Sequence, residues 1–237
     1  MGLSLVKKCK DMRRIVWVVF LLVLAHSVWA QNSEVRPVGP FSGIKSAEAV
    51  DVYLKKGDKE SVRVEVTGAS LSDVITEVSG SYLKVHMASG NHRRVDVKVY
   101  VTYVALDKIA ASSASNVFSE GAIKASNIDI SVSSAASVEV NLEAKEVTAE
   151  VSSAGDIVLE GRAGALVADA SSAGDIDAYR LESESVRARA NSAGSVKVTA
   201  TKALDARASS GGDVRYRGNP MKTNTDSSSG GTVKKSN

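Results

Sequence analysis

Between residues 108 and 219, apolar residues recur at alternate positions in short runs: Ile128, Ile130 and Val132; Val147, Ala149 and Val151; Leu166, Ala168 and Ala170; Val186, Ala188 and Ala190; Leu204, Ala206 and Ala208. Polar residues such as Asp129, Thr148, Glu150, Asp169, Arg187, Arg189, Asp205 and Arg207 stand between them. Period two with one apolar face predicts strands buried on one side. Each run is followed by a serine pair or its close equivalent, at Ser112, Ser133, Ser152, Ser171, Asn191, Ser209 and Ser228, spaced 21, 19, 19, 20, 18 and 19 residues apart. After the pair and an Ala or Gly comes a small residue (Ser115, Ala136, Gly155, Gly174, Gly194, Gly212, Gly231), then a short polar one. A β-branched residue closes the unit: Val117, Val138, Ile157, Ile176, Val196, Val214, Val233. That order reads as strand, tight corner, strand. The small position is expected to use glycine's access to positive φ, and the Asn, Asp, Ser or Thr after it to bond nearby backbone.

A unit of about nineteen residues cannot bury its apolar stripe alone, so the copies must stack into continuous ladders. Nineteen extended residues trace roughly 63 Å, enough for one coil with two or three short strands. The predicted fold is all-β, a parallel β-solenoid spanning 108–219, with a narrow lumen because of its alanine columns. Strand parity turns the second serine of each pair inward (Ser113, Ser134, Ser153, Ser172, Ser192, Ser210, Ser229), which predicts a buried hydroxyl ladder that leaves no polar group unpaired. In the last copy the inward positions become Thr223, Thr225 and Ser227, so 220–237 is expected to be a polar cap or a disordered tail.

Residues 41–107 lack the serine pair but alternate in the same way at Val50–Leu54, Val62–Val66, Tyr82–Met87 and Val95–Val101. Gly57-Asp58, Gly80-Ser81 and Gly90-Asn91 between them resemble hairpin turns. This β-rich region is expected to cover the first coil and protect its edges. Residues 31–40, with Pro37 and Pro40, form a leader. Residues 1–30 carry a basic cluster, an apolar run and Val28-Trp29-Ala30, the pattern of an export signal cleaved after Ala30. The apolar run from Ile15 to Val28 is too short for the ~20 residues that span a bilayer.

The signal changes how the composition reads. Of 30 basic and 27 acidic residues in the 237-residue chain, five basic and one acidic lie in the first thirty, together with both tryptophans and the single cysteine. The remaining 25 basic and 26 acidic residues exclude a generally basic nucleic-acid binder. The missing cysteines exclude a disulfide scaffold, a thiolate metal site and a cysteine nucleophile.

The order of features is that of a known family: Phe41-Ser42-Gly43-Ile44, Val50-Asp51-Val52-Tyr53-Leu54, Val99-Tyr100-Val101-Thr102 leading to Leu106, then Ser-Ser-Ala-Gly-Asp repeats. Over 41–218 the chain resembles the exported bacterial family labelled putative auto-transporter adhesin, head GIN domain, common in Bacteroidetes. The resemblance implies a surface or periplasmic adhesin-like domain.

Candidate chemistry is sparse. Asp156, Asp175 and Asp213 recur at the corner and invite a Ca²⁺ or polyol reading. Calcium wants 6–8 oxygens, however, and the glycine-rich signature of calcium-binding β-rolls is missing, so corner residues bonding backbone are expected instead. His86 and His92 have no partner at metal-ligand spacing, and no G-x-S-x-G elbow marks a serine nucleophile. No cofactor, metal or catalytic residue is expected. The six mature tyrosines are read as core-margin residues rather than sugar platforms. Charge is segregated: eleven acids accompany Lys145, Arg162 and Arg180 between Glu139 and Glu184, and eight bases accompany Asp205 and Asp213 from Arg187 to Lys222. The binding candidates are therefore Asp156, Asp175 and Asp213 with Arg187, Arg189, Arg207, Arg215 and Arg217. They would engage a surface glycan or protein, or a second molecule through acidic and basic segments. The function expected is non-enzymatic binding. A carbohydrate-active β-helix enzyme and a purely structural envelope protein are the alternatives.

Overall fold

The computed structural model describes residues 32–90 and 95–236; the predicted signal peptide and His92 lie outside them. Sixteen strands follow in chain order: β1 (Asn32–Arg36), β2 (Gly43–Ser46), β3 (Asp51–Lys56), β4 (Ser61–Thr67), β5 (Val74–Ser79), β6 (Tyr82–Met87), β7 (Asp96–Tyr103), β8 (Lys108–Ala111), β9 (Asn116–Val132), β10 (Ser137–Val151), β11 (Asp156–Ala170), β12 (Asp175–Ala190), β13 (Ser195–Ala208), β14 (Asp213–Arg217), β15 (Lys222–Ser227) and β16 (Thr232–Lys235). They form a parallel β-solenoid of about seven turns, as the repeat predicts.

Each coil has three sides. In β9 these are residues 116–119, 122–125 and 127–132, and the register carries each side onto the next coil: Asn116 onto Ser137, Asp156, Asp175, Ser195, Asp213 and Thr232; Ile128 onto Val147, Leu166, Val186, Leu204 and Thr223. Side chains alternate in and out along each side. Val138, Ile157, Ile176 and Val196 from the first side, Ile123, Leu142 and Leu181 from the second, and the Ile130, Ala149, Ala168, Ala188, Ala206 column from the third are fully buried or nearly so. The alanine column makes room for the larger residues opposite.

The unequal coil lengths are absorbed mainly at one corner, with one further register shift, between Ser183 and Ser185, where the second side meets the third. Register shifts between Glu139 and Asn141, between Val158 and Glu160, and between Ala178 and Glu182 all fall where the first side meets the second. Gly121 and Gly161 turn there at φ 95° and 104°. The serine corner does not vary.

That corner departs from expectation in two ways. Positive φ belongs not to the small residue but to the second serine and the residue after it: Ser153 and Ala154 stand at 53° and 58°, Ser192 and Ala193 at 49° and 60°. The glycines one place further on answer to space. A Cβ on Gly194 would lie 2.6 Å from the Ala170 carbonyl oxygen, and one on Gly155 would lie 2.9 Å from Val132. The expected inward hydroxyl ladder is also absent. Ser113, Ser134, Ser153, Ser172, Ser192, Ser210 and Ser229 are all exposed, and the corners are joined by backbone instead, as Ala154 N–H donates to Ser172 O at 3.1 Å and Ala173 N–H to Ser192 O at 3.1 Å. Two buried hydroxyls, Ser46 and Ser115, have no hydrogen-bond partner among the described residues.

The amino-terminal strands continue the stack out of chain order. On the third side β8 is followed outward by β2 and β6, and on the first side β9 is followed by β3 and β7, all parallel. Glu48 and Ala49 repeat the positive-φ corner at 64° and 56°. Antiparallel strands then finish each side, β4 and β1 on β7, and β5 on β6. Only Gly80-Ser81 closes a hairpin. Gly57-Asp58 does not, because β4 pairs with β7 rather than β3; Asn91 of the third expected turn lies outside the described residues, and the strands before and after it, β6 and β7, do not pair with each other. Arg36 ties β1 down, donating to Val74 O at 2.6 Å and Leu71 O at 2.7 Å.

Candidate functional site

The residues singled out by sequence divide between two sides. Asp156, Asp175, Asp213, Arg215 and Arg217 project from the first side, and Arg187, Arg189 and Arg207 from the third. The aspartates share a column, but Ser195 separates Asp213 from Asp175. They face solvent and side chains, not the local backbone expected of them. Asp175 accepts from Lys197 Nζ at 3.4 Å, and Asp213 accepts from Arg215 Nε at 2.7 Å and from the Thr232 hydroxyl. Partial burial works to raise the Asp213 pKa, but the bonds from Thr232 and Arg215 outweigh it and hold the carboxyl below its ordinary value. Burial and then the neighbouring Asp175 push Asp156 up. Among the described residues, no three His, Cys, Asp or Glu side chains come together as a metal site.

The tyrosines use their ring faces internally. Tyr53 stacks on Tyr100 at 5.1 Å and on Phe118 at 5.3 Å, and Arg63 covers the Tyr100 ring at 4.0 Å. Arg217 covers Tyr179 at 4.0 Å, and Tyr103 is buried. Stacked rings present edges, not the open faces a sugar stacks on. His86 lies in β6 with Nδ1 2.9 Å from the Met87 carbonyl oxygen.

A concave feature that the sequence reading missed runs along the third side beside the serine corner. It is a groove of 530 Å³ whose floor is the column Ser112, Ser133, Ser152, Ser171 and Asn191, the first residue of each pair. Lys45 stands at one end, with Glu150 and Asp169 along its wall. The backbone N–H of each column residue is spent on the preceding coil, for example Ser152 N–H on Val132 O at 3.0 Å and Ser171 N–H on Val151 O at 3.0 Å. The four serine hydroxyls have no hydrogen-bond partner among the described residues. One free hydroxyl therefore recurs at each coil, about 4.8 Å from the next. Glu150 and Asp169 are register neighbours. Burial raises the Asp169 pKa, opposed by Arg189 and Arg187, and Arg189 is 4.0 Å from Asp169. The signal available in sequence was the serine pair itself, whose first member faces out beside two carboxylates.

Fold and groove together define a repeat-built β-solenoid with a long polar groove beside its serine corner and, among its described residues, no cluster of three His, Cys, Asp or Glu side chains that could hold a metal. The chain belongs to the family described as putative auto-transporter adhesin, head GIN domain, whose pattern matches residues 40–220. A putative adhesin from Bacteroides fragilis shares the fold with a TM-score of 0.79 at 19% identity, over 87% of this chain and 97% of its own. A putative adhesin from Parabacteroides distasonis gives 0.72 at 21% identity, over 88% and 98%. A putative lipid binding protein from the same species gives 0.66 at 15% identity, over 87% and 96%. No curated protein sequence matches this one.

Proposed function

We propose that this is an exported, non-enzymatic adhesin-like solenoid that holds a neutral glycan chain along the third-side groove, at the cell surface or in the periplasm. The observation that carries this reading is the column of unpartnered hydroxyls at Ser112, Ser133, Ser152 and Ser171, ended by the Asn191 amide. Hydroxyls both donate and accept, so a polyhydroxylated chain lying along the axis meets the same hydrogen-bonding groups at each coil. The coil spacing of ~4.8 Å is close to one sugar ring of an extended chain. Glu150 and Asp169 disfavour an anionic polymer here.

A glycan array with the purified protein tests the reading, followed by Ser133→Val and Ser152→Val. Both variants should weaken binding of whichever glycan is retained, without loss of fold. Failure of every neutral glycan to bind sinks it. The paired carboxylates Glu150 and Asp169, one with a raised pKa, favour a second reading as a glycan-cleaving enzyme. Release of shortened products, abolished by Glu150→Gln, would replace the first reading with the second.

A further inference from the structure

The first side carries charge that the molecule does not neutralise by itself. Its acidic half, on β10 to β12, presents Glu139, Asp156, Asp175 and Asp177, with the Glu160–Arg180 ion pair beyond them at the corner to the second side. Its basic half, on β13, β14 and β16, presents Lys197, Arg215, Arg217 and Lys234 against Asp213. Glu160 pairs with Arg180, Asp175 and Asp177 share Lys197, and Asp213 pairs with Arg215. That leaves two carboxylates, Glu139 and Asp156, and two cations, Arg217 and Lys234, with no ion pair among the described residues. Asp156 feels the excess: after burial, Asp175, Asp177 and Glu139 all act to protonate it, and only Lys197 opposes them.

The order of these charges is self-complementary. Across successive coils, the middle outward row reads Glu139, Val158, Asp177, Lys197, Arg215, Lys234. Its sign changes once, between Asp177 and Lys197. We propose that this side docks a second copy of the chain, through a two-fold axis that lies in the interface, parallel to the strands, at the β12–β13 boundary. That operation reverses the coil order and keeps each row on itself. Glu139 then opposes Lys234 of the second copy, Asp177 opposes Lys197, and Val158 opposes Arg215, each contact occurring twice. In the row beside the serine corner Asp156 opposes Asp213, whose carboxylate is already bonded to Arg215 and the Thr232 hydroxyl within its own copy. The other face-to-face two-fold, parallel to the solenoid axis, sets acid on acid and base on base, so charge alone selects the first.

Six strands ~4.8 Å apart and about five residues of ~3.3 Å give a patch of roughly 480 Å² per copy. Its total is near the low end of specific interfaces, so the dimer should be weak and salt-sensitive. The proposal is independent of the glycan reading, since the groove lies on another side.

Sedimentation velocity of the purified protein tests it. At ~20 mM salt a monomer–dimer equilibrium is expected, lost by ~300 mM as screening shortens the reach of exposed charges. Glu139→Lys and Lys234→Glu each weaken association roughly tenfold or more, because each reversal is felt at two symmetry-related contacts. Combined in one chain, they restore it to within about threefold, because every contact is again a pair of opposite charges. Glu139 and Lys234 are both exposed, and an unchanged thermal melt confirms folding. A monomer at ~20 mM salt and ~100 µM protein, including one that binds oligolysine instead, overturns the proposal. So does a dimer indifferent to the single reversals, or a double variant no better than either single. Glycan binding by the reversal variants should match that of the unaltered protein.

Discussion

Gly211 and Gly212 are adjacent, yet alanine at the two positions should have opposite consequences. Gly211 has φ 75° with nothing within 4 Å of an added Cβ, and alanine already occupies the equivalent place in other coils, at Ala154, Ala173 and Ala193 with φ of 58°, 62° and 60°. The left-handed region costs a non-glycine residue about 1–2 kcal/mol, and the stiffer unfolded chain returns about 0.4–1 kcal/mol. Gly211→Ala should therefore leave stability within about 1 kcal/mol of the starting protein. A Cβ on Gly212 would sit 2.3 Å from the Ala190 carbonyl oxygen and 2.5 Å from its carbon. Those are backbone atoms of the neighbouring coil and cannot swing aside. The β12 and β13 coils must separate locally at the serine corner, an overpacking cost of about 1–3 kcal/mol with hydrogen bonds strained in addition. For about two hundred residues, 1 kcal/mol moves Tm by about 2–4 °C, so Gly212→Ala should melt about 5–10 °C lower. Stacked repeats loosen locally, so hydrogen exchange should accelerate first at residues 213–236. Equal melting of the two variants, or greater damage from Gly211→Ala, would refute the claim that coil contact rather than backbone conformation selects glycine in this column.

Ser115→Ala removes a buried hydroxyl with no partner and installs the residue that Ala136 supplies one coil later; it should stabilise the fold by up to about 1 kcal/mol in denaturant titration. Leu181→Ala empties a fully buried lumen position and should cost about 2–5 kcal/mol by the same assay. Burial and Asp175 raise the Asp156 pKa above its ordinary 3.8, so the folded state holds that proton more tightly than the unfolded chain does. Stability is therefore subtracted as pH rises from 3.8 to the raised value, and stays subtracted above it. Asp156→Asn should gain stability at pH 7 and flatten the melting temperature across that window, as read by calorimetry at stepped pH.

The inward half of the coil was legible because period two and residue volume are local properties of a strand. Ile128, Ile130 and Val132 announce a buried face without knowledge of any partner. Parity fails at the corner, since it presumes extended backbone. Two successive left-handed residues, such as Ser153 and Ala154, reset the alternation and turn the second serine outward. The glycine column misleads for a related reason. Sequence shows that a Cβ is absent but not why, and for Gly194 the reason is a carbonyl twenty-four residues earlier, at Ala170. The second side was not legible, because the corner between the first and second sides has no constant signature. Gly121 and Gly161 mark it in two coils, while β12 rounds it with Arg180 and Leu181 and a register shift. The serine corner alone already sets Arg187, before a serine pair, and Arg215, after one, on different sides; what the sequence does not place is the second side that lies between them. The groove escaped because its floor is made of the same serines that signal the corner.

A solenoid separates what its sides do. Inward positions are coupled along the whole stack, whereas an outward residue on the first side touches only its own row and its neighbours. Charges there are free of the fold's demands, and stacking like charges one coil apart, as Asp156 and Asp175 do, opposes folding slightly. An uncompensated row of that kind is better explained by a partner than by stability. The same separation makes a strong demand on the two assignments. Ser152→Val on the third side and Lys234→Glu on the first share no contact, so their effects should add within about 0.5 kcal/mol. In the combined variant, glycan binding should fall as far as in Ser152→Val alone, and self-association as far as in Lys234→Glu alone. Coupling between them would mean that dimerisation builds the groove's ligand site, and the two sides would then have to be treated as one surface.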